Sequence, residues 1–546
     1  MPPPSSKAPI LRVLVLVVVC FLAITPFFWR GSPSGHDFEF HMFSWMEVLG
    51  QWKQGIIYPR WAALAHWGYG EARFLFYPPA SWTVGATLGA LLPWKLVPGA
   101  YSWLVLTLAG VSMYRLVREW LPAGDALFAA ALYAVNPYHL LIVYWRSAFA
   151  ELLAASLLPL LVLRILRLNQ PGFRPVLWLS LILAAAWLTN APAAVMIHYS
   201  AAGLAAVLAV LERSWRPLAR TALAVALGAG LAAFYLIPAA YEGSWVNIGE
   251  VLAPGVRPQD NFLFTTIADP EHNRFNLLVS TIAATEIAAL AVAIWFSRAW
   301  CSRQRRPWIL LSCWGGLAAV AMLSTTNFLW QHLPKVRFVQ LPWRFLLCLN
   351  AVLAILLTMA TRRWSLRVSA PVVLLAVVVI AGYRIQPPWW DTAADIEEMT
   401  DAISEGTGYE GTDEYVPAGA DPYELNKNQP QVADSSGHPR RMETLQSGPA
   451  EKHFVVHSKT PELLTLRLFN YPAWEVVVNG KRVEPQTADV TGQMEIPVAA
   501  GQNDICIHFG RTRDRTIGGL ASLLSLGLLL AAWIKTRAKS AVGKAA

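Results

Sequence analysis

The stretch Gly35-His36-Asp37-Phe38-Glu39-Phe40-His41 places carboxylates and an imidazole at helical spacing. On a helix, Asp37, His41 and Ser44 would share one face. The opposite face would be apolar, formed by Phe38, Met42, Trp45 and Leu49. A carboxylate four residues from an imidazole can serve as a general base with an orienting or metal-binding neighbour. An alternative fits the spacing equally well: a solvated helix start with Asp37 near the N-terminal dipole.

Two arginines near the ends of apolar segments are candidates for binding a phosphate. Arg146 precedes Glu151, and Arg344 ends the stretch Gln340-Leu341-Pro342-Trp343-Arg344. A guanidinium can make two parallel hydrogen bonds to a phosphate, and a phosphate-bearing lipid would offset its desolvation in an apolar setting. Alternatively, Arg146 only pairs with Glu151, and Arg344 extends to the membrane surface. Asn190 lies at a similar position and is a further candidate for substrate binding.

The residues between 58 and 79 are rich in rings and prolines, in the stretches Tyr58-Pro59-Arg60-Trp61, Gly68-Tyr69-Gly70 and Phe76-Tyr77-Pro78-Pro79. Such residues can form a rigid lip around a groove. The candidates for substrate contacts here, together with the nearby histidine, are His36, Arg60, Tyr69 and Tyr77. Composition alone favours an aromatic belt at a membrane interface.

The elements that must position these side chains are membrane helices. Of the 546 residues, 55% are hydrophobic and 14% charged, and the mean hydropathy is +0.40. Apolar stretches such as 11–28, 281–296 and 517–534 match the hydrocarbon thickness of a bilayer at helical rise. The net charge of +9 lies in short clusters between apolar segments, so we expect no nucleic-acid partner. The five cysteines form neither a disulfide framework nor a CxxC site.

The apolar pattern predicts twelve crossings, at 10–28, 99–117, 124–142, 150–166, 175–193, 195–211, 221–238, 278–296, 308–325, 344–361, 368–384 and 516–534. With the N-terminus in the cytoplasm, every basic cluster falls inside, as the positive-inside rule requires. Both termini are then cytoplasmic. The external polar segments are 29–98, 239–277, 326–343 and 385–515. The apolar stretch 80–92 is too short to span and is interpreted as a re-entrant or interfacial helix.

Three regions follow from this topology: a multi-pass transmembrane domain at 1–384, a β-rich external module at 385–515, and a final helix with a cytoplasmic tail at 516–546. Alternating runs at 463–468, 475–478 and 504–508 predict strands, and Asn479-Gly480 predicts a hairpin. The predicted fold class is an α-helical polytopic membrane protein of about twelve transmembrane helices with a small extracytoplasmic β-sandwich. No internal repeat supports a transporter built of inverted repeats.

The motifs resemble a known superfamily. An acidic residue in the first external loop, many helices and a C-terminal extracytoplasmic module are similar to the GT-C glycosyltransferases, which use polyprenyl-phosphate-linked sugars. More specifically, His36-Asp37-x-x-x-His41, Tyr58-Pro59-Arg60-Trp61 and Leu341-Pro342-Trp343-Arg344 resemble bacterial membrane proteins catalogued as "6-pyruvoyl-tetrahydropterin synthase-related". The segments Gly408-Tyr409-Glu410-Gly411 and Tyr471-Pro472-Ala473-Trp474 also resemble these and the YfhO-like proteins. Pterin chemistry is not expected, because only His36 and His41 lie close together in the sequence.

The resemblance implies that Asp37 is the catalytic base. Many members of the superfamily have two adjacent acids, whereas here Phe38 separates Asp37 from Glu39, so a divalent metal held by Asp37, Glu39 and His41 is left open. The leading hypothesis is a glycosyltransferase of the bacterial inner membrane that moves a sugar from a polyprenyl-phosphate donor to a glycan or protein acceptor on the external face. The rival hypothesis is a non-catalytic or transport protein that handles lipid-linked glycans.

Overall fold

A computed structural model describes residues 8–385 and 389–545 of the protein, with side chains for residues 10–385 and 389–535. In this part of the chain, nine helices are long and apolar enough to cross a membrane. They are Ile10–Arg30, Trp94–Val117, Ala123–Arg146, Phe149–Leu166, Ala191–Glu212, Pro270–Ser297, Pro342–Ala360, Trp364–Ile385 and Arg513–Lys535. The predicted α-helical polytopic architecture is confirmed. The side chains of the predicted tail beyond residue 535, and residues 386–388 of the predicted module, lie outside the described part.

Two further pairs of helices are long and apolar enough to cross a membrane only if each bent pair is counted as one span. They are Arg216–Leu231 with Ala233–Trp245, bent by 76°, and Arg305–Ala321 with Ser324–His332, bent by 91°. A twelfth predicted crossing corresponds to the shorter helix Arg174–Thr189. The helix Pro79–Leu91 has 13 residues and is not among the described spans, consistent with the interpretation of 80–92 from its length.

Local sequence signals explain where several of these helices begin. Proline occupies the first turn of Arg174–Thr189, Ala191–Glu212, Arg216–Leu231 and Pro270–Ser297, where the missing N–H removes no helical hydrogen bond. The side chain of Asn190 accepts a hydrogen bond from the N–H of Ala193 at 2.9 Å, and Asp269 accepts one from the N–H of Glu271 at 2.8 Å. Such caps satisfy amides that a helix start leaves without partners.

The C-terminal module consists of two antiparallel sheets. Its strands are β3 (Val432–Asp434), β4 (Met442–Ser447), β5 (Glu451–Ser458), β6 (Glu462–Phe469), β7 (Trp474–Val478), β8 (Lys481–Val483), β9 (Gln486–Thr487), β10 (Gln493–Val498) and β11 (Gly501–Phe509); β1 (Ser32–Pro33) and β2 (Trp390–Asp391) pair elsewhere. One sheet has the order β3-β6-β10-β9 and the other β4-β5-β11-β7-β8. We call residues 432–509 the β module. The predicted hairpin is confirmed: Asn479 and Gly480 join β7 to β8 with φ of 49° and 75°.

The loop 29–98, which is predicted to be external and which we call the first external loop, packs into the β module. The ring of Trp61 lies 5.6 Å from that of Tyr471 and 5.5 Å from that of Trp474. Tyr69 and Phe76 belong to the same buried cluster. The pair β1 and β2 joins the start of this loop to residues 390–391. The loop and the β module therefore share one hydrophobic core outside the helical bundle.

Candidate active site

Three charged side chains from distant parts of the chain meet inside the protein, and we call Arg146, Glu151 and Arg344 the arginine–glutamate cluster. They are 3%, 1% and 7% exposed. One carboxylate oxygen of Glu151 accepts hydrogen bonds from Nη1 of Arg146 at 2.5 Å and from Nε of Arg344 at 3.1 Å. The other accepts one from the Tyr138 hydroxyl at 2.7 Å. Two guanidinium groups share one carboxylate, so the cluster carries an excess positive charge that an anion would compensate.

The surroundings of Arg344 exclude one of the alternatives left open by the sequence. Its Nη1 donates to the carbonyl oxygen of Val339 at 2.7 Å and to Oε1 of Gln340 at 2.9 Å. The alternative in which Arg344 extends to the membrane surface is therefore wrong. Arg146 does pair with Glu151, and its guanidinium also lies 4.9 Å from the centre of the Trp343 ring.

A break in the helical backbone positions Arg146. The span Ala123–Arg146 ends in a π-helical turn, Ile142–Arg146, and Ser147 follows in the left-handed conformation at φ 50°. The Ser147 hydroxyl donates to the carbonyl oxygen of Pro33 at 2.8 Å and accepts from the N–H of Gly35 at 3.0 Å. A side chain at residue 35 would lie 2.5 Å from the Trp145 carbonyl oxygen, so glycine is required there. The first external loop is thereby fixed against the end of this span.

Asp37 is the residue immediately before the helix Phe38–Lys53. We call this helix the external helix, after its predicted side of the membrane. The backbone N–H of Asp37 donates to the carbonyl oxygen of Arg146 at 2.9 Å. Asp37 as a whole is partly exposed, and its carboxylate interacts electrostatically with Arg146 and Arg344. The structure therefore places a carboxylate of a partly exposed residue beside the arginine–glutamate cluster.

The face predicted for Asp37, His41 and Ser44 is buried beyond Asp37. His41 and Ser44 are each only 1% exposed. Arg73 donates to the Ser44 hydroxyl at 3.0 Å, and the His41 ring nitrogens lie 3.5 Å from the Tyr77 hydroxyl and 3.4 Å from the Ser81 hydroxyl. Burial, opposed by Asp37 and assisted by Arg73, lowers the pKa of His41 to about 4. The physical reason is that residues 71–81 cover this face, so His41 faces tyrosine and serine hydroxyls rather than an open cavity.

Glu39 points away from His41, since it lies only two residues before it on the external helix. Glu39 is largely exposed. The pKa of its carboxyl is nevertheless raised, first by the part of the side chain that is buried and then by the negative charges of Asp391 and Glu410. Among residues 8–385 and 389–545, no three histidine, cysteine, aspartate or glutamate side chains are grouped so that they could hold a metal ion. Asp37, Glu39 and His41 thus do not converge on one point, and a divalent metal stays a prediction without a preformed group of three ligands.

Three predicted substrate contacts lie elsewhere in the fold. The Arg60 guanidinium stacks on the Tyr58 ring at 4.3 Å. The Tyr69 hydroxyl donates to the carbonyl oxygen of Asn426 and to Oε1 of Gln429, both at 2.9 Å. Asn190 caps a helix, as described above. Each side chain has a packing or capping role that the local sequence allowed but did not require.

His36 and Tyr77, in contrast, lie near Asp37. The Tyr77 ring centre is 5.8 Å from that of His41. Burial, and to a smaller extent the charge of Asp37, raises the pKa of the Tyr77 hydroxyl well above the usual value. His36 forms part of the wall of a cavity of about 360 Å³ and lies 4.8 Å from the Phe275 ring. The other lining residues are Asp269, Glu271, His272, Arg274, Phe275, Ile385 and Trp389.

Several residues of this site were not predicted from the sequence. His272 and Arg274 are in the predicted external segment 239–277, but nothing in their spacing marks them. The Tyr138 hydroxyl donates to Glu151 from within an apolar span, and a single tyrosine in such a span does not identify a site residue in the sequence. Ser147 and Trp343 were adjacent to singled-out arginines, so a search of immediate neighbours would have found them.

A second buried network, which includes Arg73, supports the external helix. The Glu71 carboxylate accepts from Nε of Arg73 at 2.5 Å and lies 3.0 Å from Nε2 of His66. Burial would raise the pKa of Glu71, but Arg73 and His66 outweigh it and lower the pKa to about 2. Burial raises the pKa of Glu47, on the external helix, to about 7, and its carboxyl accepts from the Tyr409 hydroxyl at 3.0 Å. These contacts hold the external helix beneath residues 406–412.

Comparisons with known proteins give structural similarities at low sequence identity. No protein-family model and no curated protein sequence matches the chain. A crystal structure of ArnT from Cupriavidus metallidurans bound to undecaprenyl phosphate is similar over 70% of this chain and 65% of that one, with 15% identity and a TM-score of 0.45. The chain thus spans slightly less than two thirds of ArnT.

Two other solved structures are similar. The arabinofuranosyltransferase AftD from Mycobacteria aligns with 74% of this chain and 27% of its own, at 18% identity and a TM-score of 0.40. The oligosaccharyltransferase of Archaeoglobus fulgidus in its apo form aligns with 75% of this chain and 57% of its own, at 12% identity and a TM-score of 0.40. Because all three TM-scores are below 0.5, these similarities assign no activity to the chain.

Proposed function

We propose that this protein is a membrane glycosyltransferase that moves a sugar from a polyprenyl-phosphate donor to an acceptor hydroxyl on the extracytoplasmic face. The observation that supports it best is the position of Asp37, a partly exposed residue, beside the two buried arginines that share Glu151. A base and an anion-binding group side by side are what displacement of a phosphate by a hydroxyl requires.

In the proposed reaction, the acceptor oxygen attacks the anomeric carbon of the donor sugar. A new bond between oxygen and the anomeric carbon forms as the bond from that carbon to the phosphate oxygen breaks. The hydroxyl proton passes to the Asp37 carboxylate, and the electron pair of the broken bond leaves with the lipid phosphate. Arg146 and Arg344 stabilise the negative charge that develops on that phosphate, because their excess positive charge is already fixed in place.

The other residues have supporting roles in this proposal. Glu151 and Tyr138 orient the two guanidinium groups. His41 is a positioning residue, since it packs under the first turn of the external helix and contacts Tyr77 and Ser81. The cavity beside His36 offers room for part of a substrate. The proposed location is the bacterial inner membrane, with both termini in the cytoplasm.

The test is sugar transfer from a labelled polyprenyl-phosphate sugar in reconstituted membranes. Asp37→Asn keeps the size of the side chain but removes the base, so we expect transfer to fall by roughly 10²–10⁴-fold while donor binding persists. Glu39→Gln is the matched control, because it removes a carboxylate two residues away that faces Asp391 and Glu410. It should leave transfer within a few-fold of wild type.

Two outcomes would contradict the proposal. Near-normal transfer by Asp37→Asn would remove the base assignment. Donor binding without transfer by the wild-type protein, across lipid-linked sugars and acceptors, would favour a protein that handles lipid-linked glycans without reacting with them.

A further inference from the structure

A second, larger cavity lies at the opposite ends of the helices from the candidate active site. It measures about 980 Å³ and lies between the spans Trp94–Val117 and Phe149–Leu166 and the helix Arg174–Thr189. Glu151 lies near the start of Phe149–Leu166, and Arg164, on the wall of this cavity, lies near its end; the thirteen helical steps between them extend about 20 Å. The arginine–glutamate cluster and the arginine end of the cavity are therefore separated by most of the length of one span.

Four arginines line the cavity: Arg115, Arg164, Arg167 and Arg174. Within the described part of the chain, only Arg167 has a carboxylate partner, Glu119, at 2.5 Å. Basic residues at the ends of membrane helices are expected from topology alone. Their convergence on one cavity, with a single carboxylate among them, is not required by topology and produces a strong local attraction for an anion.

Arg164 carries the most specific signal. Its Nε is buried and has no hydrogen-bond partner among the described residues, while its guanidinium lies 5.1 Å from the Trp178 ring. A buried donor without a partner is unfavourable. A phosphate in the cavity would offset part of this cost through its charge beside the Arg164 guanidinium.

Apart from Gln170, the rest of the lining is apolar and extends along the helices. Leu157, Leu160, Leu181, Ile182 and Ala185 line the cavity beyond the arginines. Trp178 and Leu181 are 39% and 38% exposed on the outside of the helical bundle. The arginines at one end match an acidic headgroup, and the apolar groove along the helices matches an acyl chain, so together they fit a lipid with an acidic headgroup. A free anion would contact only the arginines.

We propose that this basic cavity binds an anionic phospholipid of the surrounding leaflet, with its phosphate among Arg164, Arg167 and Arg174 and an acyl chain along Leu160 and Leu181. The site is independent of the proposed transfer reaction. By the positive-inside rule it faces the cytoplasmic leaflet.

Native mass spectrometry of the full-length protein in neutral detergent tests this. Phosphatidylglycerol should be retained at least tenfold more strongly than phosphatidylcholine with the same acyl chains. Arg164→Gln/Arg174→Gln should weaken phosphatidylglycerol binding by roughly thirtyfold, from the usual contribution of two basic residues at a membrane surface. Arg303→Gln/Arg305→Gln removes two exposed charges from another basic loop and should leave binding unchanged.

Several results would overturn the proposal: equal retention of the two lipids by wild type, equal losses in both double variants, full competition by inorganic phosphate at the same concentration, or binding of undecaprenyl phosphate alone. If Arg164→Gln/Arg174→Gln does not fold, the comparison of lipids and the phosphate competition with wild-type protein decide the question by themselves.

Discussion

At the scale of single residues, the main feature is that two guanidinium groups share the carboxylate of Glu151. Removing Glu151 would leave two buried positive charges next to each other, which is far more costly than replacing an exposed ion pair. Hydrogen bonds and the neighbouring Asp37 offset part of the desolvation. Two arginines on one carboxylate leave a positive charge that attracts an anion.

Arg344→Lys tests this interpretation. Lysine keeps the charge but cannot reach Glu151, Val339 and Gln340 together, because its donors extend from a single nitrogen. We expect kcat for sugar transfer to fall by about 10²-fold. The control is Arg60→Lys, which alters a guanidinium stacked on Tyr58. Similar losses in both variants, measured at saturating donor, would show that Arg344 has no special role in the reaction.

His41 leads to a prediction on pH and stability. An unfolded histidine binds a proton near pH 6.5, whereas in the folded protein the pKa of His41 is about 4. Lowering the pH through this window therefore favours unfolding, by an amount on the order of 3 kcal/mol at its lower end. His41→Gln lacks this effect, so it should gain stability relative to wild type as the pH falls from 7 to 4.5.

Wild type and His41→Gln are compared because Glu47, which is present in both, has the opposite effect on the free energy of unfolding as the pH falls. Burial raises its pKa to about 7, so its folded form gains a proton as the pH falls, in wild type and variant alike. Melting temperatures measured in detergent across this range provide the test. Parallel curves for the two proteins would mean that His41 titrates normally.

At the scale of elements, residues 406–412 hold the external helix in place, and we call them the glycine segment. The Tyr409 ring stacks on Phe43 at 4.2 Å, and the Tyr409 N–H donates to the carbonyl oxygen of Leu64 at 3.1 Å. Gly408 has a φ of +81°, and a side chain there would lie 2.6 Å from the Leu64 oxygen. The segment can approach this closely only with glycine at position 408.

Two glycine substitutions distinguish the cost of a steric clash with Leu64 from the cost of a left-handed backbone conformation. Gly406 has a φ of +72°, but a Cβ added at this position would meet no other atom within 4 Å. Gly406→Ala should cost about 1 kcal/mol from backbone conformation alone. Gly408→Ala should lower the melting temperature clearly further and reduce transfer, because it pushes the segment from the external helix. Equal effects would show that the contact with residue 64 adjusts freely.

Elements with strong local patterns were predictable from the sequence. The apolar spans, strands β6, β7 and β11 and the Asn479-Gly480 turn follow from period and turn chemistry. Burial of His41 was not predictable, because it depends on Arg73 and Ser81 folding back over the helix. Likewise, the sequence suggested Arg146 and Arg344 separately, but their meeting on Glu151 requires two helices to pack together.

At the scale of the whole molecule, a buried ion pair joins three regions. Arg515 donates through Nε and Nη2 to the two Glu242 oxygens, at 2.7 and 2.8 Å. The Tyr471 hydroxyl of the β module donates to the same carboxylate at 2.5 Å. The bent helix pair, the β module and the final span are thus held at one point, which lies on the external side in the predicted topology.

The topology can be tested by labelling intact cells with a membrane-impermeant thiol reagent. In a background with serine at positions 301 and 506, Ser404→Cys and Asn479→Cys should be labelled, and Ser302→Cys should not. All three positions are exposed in the fold, so reactivity depends on the side of the membrane. The reverse pattern would invert the orientation and move the candidate active site to the cytoplasmic side.

The insertion of Trp61 into the β module also bears on biogenesis. Residue 61 is translated about four hundred residues before its partners Tyr471, Trp474 and Phe509. In the predicted topology, the loop is translocated early in synthesis, and its aromatic rings remain uncovered until the β module has also been translocated. Long-range pairing of this kind forms slowly and exposes the nascent chain to aggregation and proteolysis. A chain that stops before the β module would keep these rings uncovered permanently, which makes it a substrate for the chaperones and proteases on that side of the membrane.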